Sequence, residues 1–192
     1  MTKWGAEGRS PQLRTERLIL RRWAPADRAP FAAINADQDV VRFLRGPLDR
    51  AASDKLIDEI EESFDTLGYG LWALEVRATA QLIGFTGLSS KTFEASFTPA
   101  VEVGWRLARS AWGHGYATEA ARAALAFGFR DVDLAEIVSM TARTHERSQA
   151  VMRRLGMTRD PVDDFDHPLM PPKHPLRPHV LHRITRRQWL AQ

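Results

Sequence analysis

Two glycines separated by a single residue, Gly113 and Gly115, lie between a strand-like segment and a helix-like segment. The apolar run Val101–Leu107 precedes them, and a stretch rich in small residues follows them to about Arg130. Glycine lets a backbone approach an anion closely, and the free N–H groups and dipole of a helix N-terminus attract phosphate. The pattern therefore predicts a binding site for a pyrophosphate group at the start of this helix.

The flanks of the turn distinguish it from two common nucleotide-binding loops. A P-loop requires Lys followed by Ser or Thr directly after its glycines, and this turn has neither. The glycine turn of a dinucleotide-binding unit follows its first strand, whereas this turn follows a fourth predicted strand. A nucleotide-binding enzyme therefore stays only as an alternative, which tight binding of ATP or NAD would support.

Composition limits the class of protein. The 192 residues, 44% of them hydrophobic, suffice for one domain with a core of ordinary size. The sequence has no cysteine, which excludes disulfides and thiolate chemistry. Its 27 basic and 24 acidic residues are spread along the chain, so the net charge of +3 predicts no nucleic-acid partner. No apolar run could span a membrane and Met1–Arg14 lacks a signal-peptide core, so we expect a cytoplasmic protein without a membrane partner.

Periodicity and turn residues predict the order β-α-α-α-β-β-β-α-β-α-β-β. The predicted strands are 17–23, 71–76, 82–88, 100–107, 137–142, a segment from 157 onward and 179–185. The predicted helices are 25–35, 39–44, one capped by Asp49 that ends near Leu67, one from the glycine turn to about 130, and 148–155. This order predicts an α/β fold with a mixed sheet of about seven strands and helices on both faces. We expect a single domain over residues 1–192, with residues 1–12 as a flexible arm.

The glycine turn and its surroundings resemble the GNAT superfamily of N-acetyltransferases, whose signature is Gln/Arg-x-x-Gly-x-Gly/Ala. The segment Trp112–Ala117 is similar to this signature in its last four positions and departs from it at Trp112. Trp-Gly-x-Gly-Tyr-Ala-Thr-Glu-Ala is typical of the branch that resembles ribosomal-protein N-terminal (Rim-type) acetyltransferases. Other segments that resemble this branch are Thr15–Arg21, Glu102–Trp105 and Ser148–Met157. The resemblance extends from about Leu13 to Thr185.

The resemblance implies the GNAT-like acyl-CoA N-acyltransferase fold and a reaction of acetyl-CoA. Acetyl would pass to a primary amine by direct attack in a ternary complex, and the acceptor would be a protein N-terminus or a small amine. No metal is expected, and the protein would be a monomer or a homodimer. A coenzyme-A-binding module that senses without catalysis is the alternative.

Cofactor-binding residues follow from the same resemblance. The pyrophosphate would bind the backbone of the glycine turn, and the pantetheine arm would lie along the end of the fourth strand. The implied residues are Trp105, Arg106, Leu107, Trp112, Gly113, His114, Gly115, Tyr116, Ala117, Thr118 and His145. In the family an Asn usually begins the short helix and binds the pantetheine, and His145 takes its place here. A surface histidine without this contact is the alternative.

Two residues are candidates for the chemistry. Glu102 lies in the fourth strand, where family members commonly carry the base that deprotonates the amine, often through water; a strand-surface carboxylate is the alternative. Many relatives protonate the leaving thiolate with a Tyr in the short helix, and Met152 occupies that position here. Ser148 aligns with the Ser proposed as the acid in the Rim-type branch, although it could instead cap the short helix.

A segment rich in His, Pro and Asp follows, with four of the six histidines between His167 and His182. Their spacing matches no regular metal-ligand pattern, so we expect no metal there. The loop 160–178 would border the acceptor pocket or serve only as a connection. Phe43, Phe64 and Trp72 would pack in the core or line that pocket.

Overall fold

Eight strands form one mixed sheet in the computed structural model, which describes residues 12–192. The strands are β1 (Leu13–Arg14), β2 (Leu18–Arg21), β3 (Leu71–Val76), β4 (Gln81–Lys91), β5 (Ala100–Leu107), β6 (Glu136–Ala142), β7 (Phe165–Asp166) and β8 (Pro178–Thr185). Their order in the sheet is β1-β2-β3-β4-β5-β6-β8-β7. Every neighbouring pair is antiparallel except β5 and β6, which are parallel.

The helices of the described residues are α1 (Arg28–Ala36), α2 (Gln38–Val41), α3 (Arg50–Leu67), α4 (Tyr116–Arg130), α5 (Glu146–Arg154) and α6 (Arg186–Leu190). Local chemistry sets the bounds of α3. The Asp49 carboxylate accepts a hydrogen bond from the Ala52 N–H at the N-terminus, and Gly68 ends the helix in the left-handed region at φ 77°. None of the helices in residues 12–192 is both long and apolar enough to cross a membrane.

The predicted fold class is confirmed, with several corrections to the elements. The sheet contains two short strands that were not predicted, β1 directly after the predicted arm 1–12 and β7 within the predicted loop 160–178. The strand predicted from residue 157 is wrong, since only an isolated bridge between Thr158 and Arg183 forms there. Helix α5 begins two residues before Ser148, and α6 was not predicted. Of the predicted arm, residues 1–11 lie outside the described part of the chain.

Strands β5 and β6 pair at one point only. Glu102 and Val138 are the single pair of Cα partners between them, although β5 continues for five residues to Leu107. On its other side β5 stays paired with β4 as far as Leu107. The two parallel strands therefore diverge and leave one edge of the end of β5 without a strand neighbour. Helix α4 follows β5 and α5 follows β6, so both helices begin near this opening.

Helices α1 and α4 cover opposite faces of the sheet. The rings of Phe31 in α1 and Phe85 in β4 lie 5.9 Å apart, whereas a Cβ built on Gly128 of α4 would be 3.0 Å from Cδ1 of Leu88. Successive strand residues point to opposite faces, so Phe85 and Leu88 face different layers. Arg106 is the β5 partner of Phe85 and therefore lies on the α1 face.

Gly84 allows β4 and β5 to approach closely. Its φ is +131°, and a Cβ there would lie 2.0 Å from the carbonyl oxygen of Arg106. We predict that Gly84→Ala lowers the free energy of unfolding by about 3 kcal/mol or more, because both the backbone conformation and the strand spacing are incompatible with a side chain. Urea denaturation would measure the change.

Gly104→Ala is the matched control in the neighbouring strand. A Cβ on Gly104 would meet nothing within 4 Å, and its φ is not in the left-handed region. We expect this variant to unfold within about 1 kcal/mol of the wild type. Equal stability of the two variants would contradict the assigned role of Gly84.

Candidate active site

A cleft of about 1650 Å³ lies at the opening between β5 and β6. Its wall includes residues from α2, the end of β5, the glycine turn and the first turns of α4 and α5. The predicted site residues that line it are Trp105, Arg106, Leu107, Trp112, Gly113, Gly115, Tyr116, Ala117, Thr118, His145 and Ser148. Two predicted residues, Glu102 and His114, are not in its wall. The divergence of the strands thus brings together residues that are up to 43 positions apart in the sequence, from Trp105 to Ser148.

The glycine turn leaves the N-terminus of α4 open to the cleft. Gly113 and Gly115 both have φ of 80°, which is the left-handed region that favours glycine. Gly115 is the N-cap of α4, and no side chain caps the helix. The N–H groups of the first turn therefore have no side-chain acceptor, which suits an anion from outside the chain.

A hydrogen-bonded group ties the N-terminal strands to this turn. The Glu119 carboxylate accepts hydrogen bonds from the hydroxyl of Thr15 (2.6 Å), the backbone N–H of Arg17 (2.9 Å) and the Arg17 Nε (2.7 Å). Arg17 Nη1 also donates to the carbonyl oxygen of His114 at 3.0 Å. The guanidinium lies over the Tyr116 ring, 4.8 Å from its centre. These contacts fix the turn and the first residues of α4 relative to β2.

Glu119 places a negative charge in the first turn of the helix that faces the cleft. Burial opposes ionisation of this carboxyl, but the hydrogen bonds from Thr15 and Arg17 outweigh it and hold the pKa of Glu119 below its ordinary value. Arg17 forms an ion pair with it at 2.6 Å. The pairing removes most of the repulsion that Glu119 would otherwise exert on an anion bound at the turn.

His145 lies in the opposite wall, as the N-cap of α5. Its Nδ1 is 3.0 Å from the hydroxyl of Thr141, and its ring stacks on Phe43 with 4.2 Å between centres and 11° between planes. Burial, with a smaller contribution from the charge of Arg147, lowers the pKa of His145 to about 4. The imidazole is therefore neutral at pH 7, and Nε2 is the ring nitrogen not engaged by Thr141.

Ser148 lies in the first turn of α5 and is buried, with 8% of its surface exposed. The sequence left open whether it caps this helix. The structure rejects that alternative, because α5 begins at Glu146 and its N-cap is His145. Ser148 and His145 thus share one wall of the cleft.

Glu102 lies where β5 and β6 pair, outside the wall of the cleft. Its carboxylate forms an ion pair with Lys91 Nζ at 3.1 Å and accepts a long hydrogen bond of 3.4 Å from the Met140 N–H. Only 14% of its side chain is exposed. The structure therefore does not bring Glu102 into contact with His145 or Ser148.

One contact next to the cleft, that of Asn35, was not predicted from the sequence. Asn35 is fully buried in α1, where its Oδ1 accepts a hydrogen bond of 2.6 Å from Arg106 Nη1. The sequence feature that could have indicated this contact is the position of Asn35 itself, since its amide comes four residues after Phe31 on the apolar face of a predicted helix. Phe43, for which the sequence left both core packing and a pocket wall open, lies in the cleft wall against His145. Phe64 and Trp72 are 3% and 0% exposed, as expected of core residues.

The histidine-rich segment packs mainly against aromatic rings. The His167 ring lies 5.0 Å from Phe93 and 4.8 Å from His179, and His179 lies 5.7 Å from Phe165. No residue of the loop 160–178 lines the large cleft. Within residues 12–192 no three His, Asp or Glu side chains are grouped in a way that could hold a metal ion.

Comparisons with known proteins agree with this architecture. A family model described as an acetyltransferase (GNAT) domain matches residues 17–158. The Bacillus subtilis (strain 168) protein YkkB is 29% identical over 147 residues, which cover 76% of this chain and 84% of that protein. The FsC-acetyl coenzyme A-N(2)-transacetylase of Aspergillus fumigatus is 31% identical over 131 residues, or 64% of this chain and 53% of that protein. The crystal structure of an acetyltransferase from Agrobacterium tumefaciens str. C58 has a TM-score of 0.72 and 29% identity, with 91% of this chain and 94% of that chain covered.

The family match includes the diverging strands, the glycine turn and the whole of α5. It does not distinguish the branches of the family, so the resemblance to ribosomal-protein N-terminal acetyltransferases stays a prediction. Because the match covers most of the sequence and the fold agrees with it, the chain belongs to the GNAT acetyltransferase family.

Proposed function

We propose that this protein transfers acetyl from acetyl-CoA to the nitrogen of a primary amine. The observation that carries the proposal is the uncapped N-terminus of α4, which opens through two left-handed glycines into the cleft between β5 and β6. The Aspergillus fumigatus relative is named as an acetyl coenzyme A transacetylase, which agrees with this choice of donor.

The residues of the cleft suit the parts of the coenzyme. The N–H groups of Tyr116, Ala117 and Thr118 would hold the pyrophosphate, with Arg17 compensating the charge of Glu119. The free edge of β5 at Trp105–Leu107 would hydrogen-bond the pantetheine arm, because β6 no longer pairs with it there. The neutral His145 would contact the pantetheine through Nε2 in place of the usual Asn.

Bound acetyl-CoA supplies the thioester, and the protein has three tasks around it. A backbone N–H on the free edge of β5 would donate to the carbonyl oxygen, a contact that contributes on the order of 3 kcal/mol in related acyl chemistry. A new N–C bond forms as the C–S bond breaks. The amine must lose one proton and the departing sulfur must gain one, so the cleft needs a proton acceptor and a proton donor.

Ser148 and Glu102 are the proposed groups for these two proton transfers. The Ser148 hydroxyl would protonate the sulfur, since this residue lies in the cleft wall beside His145. Glu102 would receive the amine proton through water, because the ion pair with Lys91 holds its carboxylate outside that wall.

The same ion pair favours the second candidate function, a module that binds coenzyme A without catalysis. If Lys91 keeps Glu102 out of the chemistry, binding would occur and turnover would not. The two functions therefore differ in whether thiol is released in the presence of an amine.

The first test measures thiol release from acetyl-CoA with a panel of primary amines, including N-terminal peptides and small amines. We expect turnover by the wild type and a loss of about 100-fold in kcat for both Ser148→Ala and Glu102→Gln, because each removes a proton-transfer group. Coenzyme A affinity should stay within about twofold. Coenzyme A binding without turnover on any amine would favour the sensor, and tight ATP or NAD binding that coenzyme A does not displace would contradict both functions.

The second test concerns the charge next to the pyrophosphate site. Arg17→Met leaves the Glu119 carboxylate uncompensated in the first turn of α4, so we predict about tenfold weaker binding of coenzyme A by calorimetry. The double variant Arg17→Met/Glu119→Gln should recover most of the lost affinity.

A control variant separates this effect from a general loss of arginine contacts. Arg22→Met breaks ion pairs with Glu61 and Asp65, and none of these three residues lines the cleft. Its coenzyme A affinity should equal that of the wild type. An equal loss of affinity in the Arg17 and Arg22 variants would overturn the assignment.

The third test follows His145 as the pH falls. The unfolded chain takes up a proton on this residue near its ordinary value of 6.5, whereas the folded protein does so only near 4. The folded state therefore loses stability as the pH drops through this window, by at most about 3 kcal/mol from this residue. NMR titration of the imidazole would give the midpoint directly, and Phe43→Ala should raise it by admitting water. A wild-type midpoint near 6.5 would contradict the proposed neutral contact.

A further inference from the structure

Arg106 is part of the cleft wall, and its guanidinium has no acidic partner among the described residues. Nη1 donates a hydrogen bond of 2.6 Å to the neutral amide oxygen of Asn35. Nε is buried and has no acceptor. One face of the group covers the Phe85 ring, with 5.3 Å to its centre. Across residues 12–192 no Asp or Glu forms an ion pair with it.

Four other arginines in the cleft wall also lack an ion pair within residues 12–192, but all four are exposed to water, whereas Arg106 is half-buried; they are Arg42, Arg122, Arg147 and Arg154. Two arginines of this region are paired. Arg109, which also lines the cleft, pairs with Asp39, and Arg17 beside the glycine turn pairs with Glu119. Burial lowers the pKa of Arg106 to about 10, so the side chain stays charged at neutral pH. A guanidinium withdrawn from water without a counter-ion is costly, and the cost is offset only when an anion reaches it. The open side of the cleft is the route by which such an anion can come.

The position of Arg106 separates this anion from the phosphates of the coenzyme. Arg106 lies on the α1 face of the sheet with Phe85 and Asn35, whereas the glycine turn begins α4 on the other face. The phosphates are thus assigned to a different layer of the cleft from the guanidinium. On the proposed function, the second ligand is the amine acceptor, so the anion at Arg106 belongs to the acceptor.

Space for this ligand exists along β5. Strand alternation puts Glu102, Gly104 and Arg106 on one face. A Cβ added to Gly104 would meet nothing within 4 Å, so the strip between the two charged residues is open. An acceptor in this strip can direct its anionic group to Arg106 while its amine lies toward the proposed proton acceptor.

We infer that the acceptor is an amine that carries a carboxylate, that is, an amino acid or a small compound built on one. A single guanidinium of charge +1 matches a carboxylate of charge −1, which it can bind through two parallel hydrogen bonds. Asn35 fixes the group in place, because its Nδ2 donates to Ser53 Oγ at 2.9 Å while its Oδ1 accepts from Arg106. The positive charge also disfavours the protonated form of a nearby amine, which cannot attack a carbonyl.

The test uses binding as well as turnover, so that the acceptor chemistry and the proposed activity can fail separately. N-acetyl derivatives of the twenty amino acids and their carboxamides serve as product-side probes, titrated by calorimetry into protein saturated with coenzyme A. We expect at least one carboxylate to bind about tenfold or more tightly than its own carboxamide. Arg106→Gln should abolish this preference, because it removes the side-chain charge and keeps the backbone edge of β5 that is proposed to hold the pantetheine.

Two further variants test whether the preference for carboxylates depends on the unpaired charge of Arg106. Asn35→Asp provides an internal carboxylate for Arg106, so this variant should fold and bind coenzyme A normally but lose most of the preference for carboxylates. Arg109→Gln, which changes the arginine already paired with Asp39, should keep the preference.

The outcomes are distinct. Carboxylate binding that depends on Arg106, without thiol release from acetyl-CoA on any primary amine, would support a carboxylate site at Arg106 and overturn the proposed activity. Equal binding of carboxylates and carboxamides, an undiminished preference in Arg106→Gln, or no binding across the panel would overturn the inference. In any of these last three cases, acetylation of uncharged amines would leave the proposed activity intact.

Discussion

The site depends on the early separation of β5 and β6. A parallel pair normally shares hydrogen bonds along its length, but these two strands pair at Glu102 and Val138 and then diverge. The separation exposes one edge of β5 and creates the cleft. It also directs the starts of α4 and α5 to the same space, although one helix follows each strand. Each proposed contact to the donor uses a backbone edge or a helix start that this separation makes available.

The two sides of the cleft differ in whether their charged side chains are neutralised within the chain. At the glycine turn, Glu119 is neutralised by Arg17 within the chain, so the uncapped N–H groups and the exposed side chains of Arg122 and Arg154 in the cleft wall favour an anion. On the α1 face, Lys91 neutralises Glu102 whereas no described carboxylate neutralises Arg106. The α1 face therefore keeps a positive charge for its ligand to balance. This difference is the physical basis for assigning the two ligands to different layers.

The sequence predicted those parts of the site that depend on local conformation. The glycines of the turn act through their own backbone and immediate neighbours, so their spacing was informative, whereas the start of the short helix was predicted two residues too late. The contacts of Asn35 and of Glu102 could not be found in this way. Asn35 meets Arg106 across 71 positions, and Glu102 meets Lys91 because β4 extends beyond its predicted end at Leu88. Such contacts depend on the length and register of the strands, which the hydrophobic periodicity of a sequence predicts poorly.

The length of β4 also affects the assignment of roles. Its pairing continues from Gly84 to Lys91 opposite β5, which puts an ammonium next to the carboxylate that the family resemblance implies as the base. A base held by an ion pair is a poor direct partner for an amine, so proton transfer through water is the arrangement that fits this geometry. Arg106 then has a second effect, since it favours the neutral amine before any base acts. Glu102 then has to remove a proton from a smaller fraction of the bound amine, because Arg106 already favours its neutral form. Recognition of the substrate and activation of its amine therefore depend on the same positive charge.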